Sequence, residues 1–434
     1  MGKEQWQAVF VIGAILLVGF FFQPAREEAS GKAVQLLEDE DAAQQPADEE
    51  AIQQPGEAVL RAPPSPLPPI PVVQPVCDAL YETITQQFLQ KMGVTTSRFF
   101  DDSFIELINN RYLVVTAFIS STPELYLYDI GPDGRFDTPD DAGFLIEPLQ
   151  SSILSLDSLT SGGVTTLFWY VGMMGGGSGS LKKCTLTPQG CIPTTITALS
   201  GNNVKGLVAS ASTNRLFLLH TPVVGGGSVH TVASCSLQSG TPDFCGNGLS
   251  SFTTHQQLSL PYRIYGYDIF SLSEVGFYLA DSGVAPLQNF IININQPTVI
   301  SPIQNKLNPT PYNPLTLPFM FAVDSTFPAS PQLVMVDSTT GTIITPPLES
   351  IPSSFLWRSL AIQSFGSQII TLYFERRPLS PAVLMGKRVG SPPVELGTFT
   401  FTGGDFIWFA ITLPDFTVLG ILSSGNLVKL SCTP

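Results

Sequence analysis

Histidine is nearly missing from this chain, with three in 434 residues, and charged side chains make up only 13%. His220, His230 and His255 stand apart, without the HxH or HExxH spacing that would gather a catalytic zinc ion. No GxSxG elbow offers a serine nucleophile. Gly175–Gly177 and Gly225–Gly227 lack the Gly-Lys-Ser/Thr ending of a phosphate-cradling loop. Basic residues are scarce as well: 20 Lys and Arg face 35 Asp and Glu, for a net charge of −15. With no basic stripe in view, a nucleic-acid reader is excluded. Extended amphipathic helical patterns are also wanting. What remains is rich in turn residues, with 37 glycines and 37 prolines among 44% hydrophobics, a composition that favours an all-β domain.

Three regions follow one another: 1–25, 26–76 and 77–434. In the first, Ala8–Phe22 (AVFVIGAILLVGFFF) is uninterrupted by charge, with Trp6 at its edge and Lys3 before it. A membrane-spanning helix needs roughly 17–25 residues, so this run is a short span or a signal core. The following Phe21-Phe22-Gln23-Pro24-Ala25 is a poor cleavage site, which favours an uncleaved signal anchor over a removed signal peptide. Lys3 on the near side points to a single-pass protein whose remainder lies outside the cytoplasm. Residues 26–76 are acidic around Glu38–Glu57 and proline-dense over Ala62–Pro75, a disordered linker spanning roughly 40 Å as a flexible chain, and more where proline stiffens it.

The region 77–434 alternates short β-rich runs with turns. One type of run recurs as Glu124–Ile130, Ser180–Cys184, Val229–Ser236, Asn289–Asn295, Gln332–Asp337, Ala382–Arg388 and Asn426–Cys432, with starts 43 to 60 residues apart. That period matches one four-stranded propeller blade, and each run reads as its third strand. Six cysteines permit fifteen connectivities. Their register selects one: Cys184 with Cys191, Cys235 with Cys245, and Cys77 with Cys432. The last pair implies that a strand over Cys77–Phe88 completes the final blade and zips the ring shut, removing a free edge. Cysteines that all pair agree with an oxidising exterior.

The strand-turn unit LVMVDSTTGTI (Leu333–Ile343), with the blade period, resembles the extracytoplasmic seven-bladed β-propellers of the YVTN-type and TolB-like group. The resemblance spans 77–434 and implies an architecture and a binding habit. It does not settle a chemistry, because such propellers host binding, assembly and enzymatic members alike.

Two sets of residues are candidates for function. From Asp129 as position 1, Asp133, Arg135, Asp137 and Asp140 fall at positions 5, 7, 9 and 12, with Gly134 at 6, the order of a calcium loop in which Arg135 would offer its carbonyl. Position 3 is Gly131, without a ligand. A structural Ca2+ ion is therefore one expectation and a metal-free Asp/Gly turn the other. The second set is Arg98, Phe99, Asp101, Tyr262, Arg263, Trp357, Arg358 and Arg376, which the pattern places on the channel face. Arginine and aromatic residues anchor protein interfaces, although each of these could simply pack between blades. The function expected is a membrane-tethered scaffold that binds a protein or glycan partner. The alternatives are a lyase, hydrolase or quinone-dependent enzyme using the central channel, and a structural component of the cell surface.

Overall fold

In the computed structural model the described residues run from Val76 to Thr433 with short gaps, the longest at 310–318 and 351–359; residues 1–75 lie outside them. The expected signal anchor (1–25) and all but the last residue of the expected linker (26–76) fall in that outer stretch. Among the described residues, no helix is long and apolar enough to cross a membrane.

The fold is an all-β propeller. Six four-stranded sheets and one five-stranded sheet succeed each other, joined internally by antiparallel hairpins. The first sheet comprises β1 (Phe99–Ile108), β2 (Tyr112–Ile119), β3 (Thr122–Asp129) and β4 (Ala142–Pro148). The second runs from Ile153–Ser161 to Thr194–Ser200, and the third from Asn202–Ser210 to Thr253–Ser259. The fourth begins at Tyr267–Leu272, the five-stranded one at Leu307–Pro309, and the next at Leu360–Phe365. In every sheet the recurring sequence run is the third strand, as the period predicts. Apolar side chains of these third strands, Leu125, Leu181, Val232, Ile291 and Val334 among them, are buried between neighbouring sheets.

The apolar clusters lie between neighbouring sheets. Trp169 and Leu167 of the second sheet join Leu125, Leu127 and Val114 of the first, and Phe277 and Leu279 of the fourth join Phe217 and Val232 of the third. At about 25 cal/mol per Å² of apolar surface removed from water, such inter-sheet layers supply the main driving force for the array.

The closing sheet is built from both ends of the domain. Its strands Ile407–Thr412, Val418–Leu422 and Leu427–Leu430 are joined at the outer edge by Glu82–Thr83, with Glu82 opposite Lys429 and Thr83 opposite Val428. A separate two-stranded ladder pairs Val76 with Thr433 and Cys77 with Cys432. All three disulfides are the ones expected from register: Cys77–Cys432, Cys184–Cys191 and Cys235–Cys245.

The N-terminal strand corrects one expectation. It does not extend over Cys77–Phe88: after Glu82–Thr83 the chain turns into α1 (Thr85–Lys91). Gln86, Gln87, Leu89 and Lys91 are good helix formers, and a helical turn puts Phe88, Leu89 and Met92 on one buried side. A strand would have sent alternate residues of this stretch to opposite faces. Phe88 stacks on Tyr128 of the first sheet, ring centroids 4.5 Å apart, and joins one cluster with Phe136, Phe409, Ile411 and Leu427. The core between the first and closing sheets therefore includes the helix.

Candidate functional site

The first strands of the second, third and fourth sheets are held together by polar contacts that reach from one sheet to another. Asp157, only 1% exposed, accepts from the backbone N–H of Ser158 at 2.8 Å and, across to the third sheet, from that of Ala209 at 2.8 Å. Ser271 of the fourth sheet accepts from the Leu207 N–H at 3.0 Å, and its Oγ lies 3.4 Å from Ser155 Oγ. Glu106 is a residue of β1. Surrounded by protein while keeping partial access to solvent, it is pushed up to about 8, first by burial and then by the charge of Asp157. At neutral pH Glu106 therefore holds its proton. A carboxyl that keeps its proton at neutral pH is a candidate general acid. Neither residue was picked out by motif; the only signal is an acid inside each of the apolar runs SFIELI and ILSLDSL.

The other notable polar chain lies in the third sheet. Arg215 pairs with Asp243 at 2.6 Å and donates from Nε to Ser234 Oγ at 3.0 Å; that oxygen lies 2.7 Å from His255 Nε2. A serine beside a histidine has the look of a nucleophile and its base. Ser234, however, is fully buried, so no substrate carbonyl reaches it. His220 is likewise buried, with Nδ1 3.0 Å from Asn202 Oδ1. Burial lowers the pKa of all three histidines, keeping them neutral parts of the sheet.

The acidic loop after β3 is fully described. Asp129, buried and 3% exposed, takes a bidentate pair from Arg111, Nε to Oδ1 at 2.7 Å and Nη2 to Oδ2 at 2.8 Å. Asp133 accepts from the Arg135 N–H at 3.0 Å, and Asp140 from the Thr138 hydroxyl at 2.6 Å. That hydroxyl bond holds the exposed Asp140 carboxyl below the usual range. Asp137 faces Lys91 and Lys429, at 3.2 and 3.3 Å. A calcium loop would aim positions 1, 5, 9 and 12 at one point. Here Asp129 and Asp137 are turned to different cations, and among the described residues no group of three His, Cys, Asp or Glu side chains is placed to hold a metal ion. This donor set does not fit the Ca2+ that the spacing suggests.

Of the channel-face candidates, Arg98, Tyr262, Arg263, Trp357, Arg358 and Arg376 lie outside the described residues. Phe99 and Asp101 fall in β1, where the backbone alone is described. A groove of about 670 Å³ opens between the first and second sheets, lined by Met92, Phe144, Leu145, Lys183, Gln189 and Ile192. Ile192 is 85% exposed and Leu145 46%. The Cys184–Cys191 hairpin forms part of its wall, and none of the sequence candidates lines it.

No protein-family model matches the sequence, and none of the curated proteins is similar enough to count as a relative. Solved structures similar in fold include an uncharacterized protein, lmo1340, from Listeria monocytogenes EGD-e, at 7% identity and TM-score 0.40, covering 75% of this chain and 90% of that one. Prolyl oligopeptidase B from Galerina marginata, bound to a 35mer hydrolysis and macrocyclization substrate, is similar at 11% identity and TM-score 0.37. The match covers 72% of this chain and 44% of that enzyme. At these values neither carries a functional argument.

Proposed function

We infer that this chain is a membrane-tethered, extracytoplasmic binding scaffold: a seven-bladed propeller of the YVTN-type and TolB-like kind, counting the five-stranded sheet as a blade. Residues 1–25 anchor it, 26–76 let it reach, and the ring engages a protein or glycan partner. The observation that carries this reading is that all six cysteines are bonded in a ring whose two ends are joined, as an oxidising exterior favours. A stapled array offers a preorganised surface, which lowers the entropy cost of association. The apolar rim groove with Leu145 and Ile192, and the channel face with Arg98, Asp101, Arg263, Arg358 and Arg376, are the surfaces it would present.

The test is affinity capture on the full-length protein from its own membranes, followed by cross-linking of the captured partner. Cross-links at the channel face or rim groove, lost in an Arg263→Ala, Arg358→Ala variant or in Ile192→Asp, support binding at those surfaces. A protein that recovers no partner protein or glycan, and fractionates away from membranes, overturns the reading.

A second reading rests on Glu106, whose retained proton would suit the general acid of an enzyme working within the ring. Turnover of a substrate abolished by Glu106→Gln, with the fold intact, would favour it over the scaffold.

A further inference from the structure

The acidic loop lies where several segments of the ring's seam meet. Asp137 uses its two oxygens in two directions: Oδ1 is 3.2 Å from Nζ of Lys91, the last residue of α1, and Oδ2 is 3.3 Å from Nζ of Lys429 in the closing sheet. Lys91 also donates to the Thr138 carbonyl at 2.8 Å and lies 3.8 Å from Asp141, whose carboxylate accepts from the Tyr128 hydroxyl at 2.8 Å. Lys429 in turn reaches Glu82 of the N-terminal edge strand at 3.5 Å. On the loop's other shoulder the Phe136 N–H donates to Asp415 in the turn between two strands of the closing sheet, at 2.9 Å. Phe136 itself is buried against Phe88 and Tyr128, which fixes the loop's base. Asp137 holds a left-handed φ of 66°, which an aspartate tolerates better than most residues and which here accompanies its contact with both lysines. Side-chain exposures of 28% for Lys91, 33% for Asp137 and 16% for Lys429 leave these pairs better shielded from salt than pairs on open surface.

We propose that the Asp129–Asp141 loop is an ionic clasp across the seam. Lys91 and Lys429 take the counter-ion role that the carboxylate spacing suggests for calcium. The clasp holds the N-terminal segment against Leu427–Leu430 whether or not Cys77 and Cys432 are bonded. Because Cys77 stands opposite Cys432 in the adjoining ladder, the clasp keeps the two sulfurs within bonding reach while they are still thiols. Disulfide formation then completes a closure that charge pairs and apolar packing have already made.

The experiment is amide hydrogen exchange on the full-length protein with Cys77→Ser and Cys432→Ser. The expected result is a seam that stays protected over 85–91 and 427–430. Adding Asp137→Asn should then raise exchange there about three- to tenfold, the scale of a lost, partly shielded charge pair, with 215–236 unchanged. Unchanged seam exchange on adding Asp137→Asn overturns the proposal, as does millimolar calcium slowing seam exchange in the unaltered protein. Should the double serine variant fail to fold, Asp137→Asn alone gives the same answer through dithiothreitol reduction. Cys77–Cys432 should open several-fold faster, with the other two disulfides unaffected, and an unchanged rate would count against the clasp.

Discussion

The seam and the disulfide hairpins solve different problems with the same bond. Cys184–Cys191 and Cys235–Cys245 link residues 7 and 10 apart, each stapling a loop that leaves a strand already fixed in its sheet. Cys77–Cys432 links residues 355 apart and ties together segments that local structure could never bring near one another. In the chain-entropy account the long closure constrains the unfolded chain by ~6 kcal/mol and the short ones by ~2–3 kcal/mol each. The seam also carries an α-helix, the stack of Phe88 on Tyr128 and the charge pairs of the acidic loop. A long-range junction needs several independent holds, because each alone must overcome a large loss of chain freedom.

That contrast can be broken most sharply at the sulfurs. Replacing Cys77 and Cys432 with serine should lower stability by up to ~6 kcal/mol, whereas Cys184→Ser with Cys191→Ser should cost ~2–3 kcal/mol. Urea titration of the two variants measures the difference, and equal losses would remove the distinction. The next largest effect is Phe88→Ala. Removing a ring that stacks on Tyr128 and is 2% exposed should cost ~3–5 kcal/mol, seen as an earlier thermal midpoint.

Glu106 separates the ring's interior from its seam. Its carboxyl titrates at about 8 in the fold against 4.5 as its ordinary value, so the folded state keeps a proton that the unfolded chain gives up. Its contribution is therefore complete at acid pH and is lost as pH rises from about 4.5 to about 8. Chemical denaturation across that window should show the decline in the native protein and a flatter profile in Glu106→Gln. The smallest effect is expected at Lys429→Gln: about 0.5–1 kcal/mol, reduced by high salt, since its partners are partly hydrated.

The sheets were legible in the sequence because each third strand repeats an alternating or continuous apolar run at a blade-length period, and the cysteines sit at the same register in those runs. Gln332–Asp337 and Val229–Ser236 fall as the pattern expects. Residues 77–88 misled because the Cys77–Cys432 pairing implied one unbroken edge strand, while the burial of Phe88 and Leu89 on a helix comes from Tyr128, Phe136 and Leu427 far along the chain. At the Asp129–Asp141 loop the sequence left calcium and a metal-free turn both open, for a related reason. Carboxylate spacing is local, but the cation that answers Asp137 comes from Lys429, 292 positions away. Glu106 and Asp157 carry no motif, and their pairing exists only once the first and second sheets stand side by side.

The ladder that sets Val76 opposite Thr433 has a consequence for the order of the chain. A few added residues could fuse those two positions. New ends could then be cut at the exposed Gly162–Gly163 turn, whose φ values of 58° and 78° mark a tight hairpin tip. The resulting circular permutant would keep every sheet intact and turn the old junction into an ordinary connection.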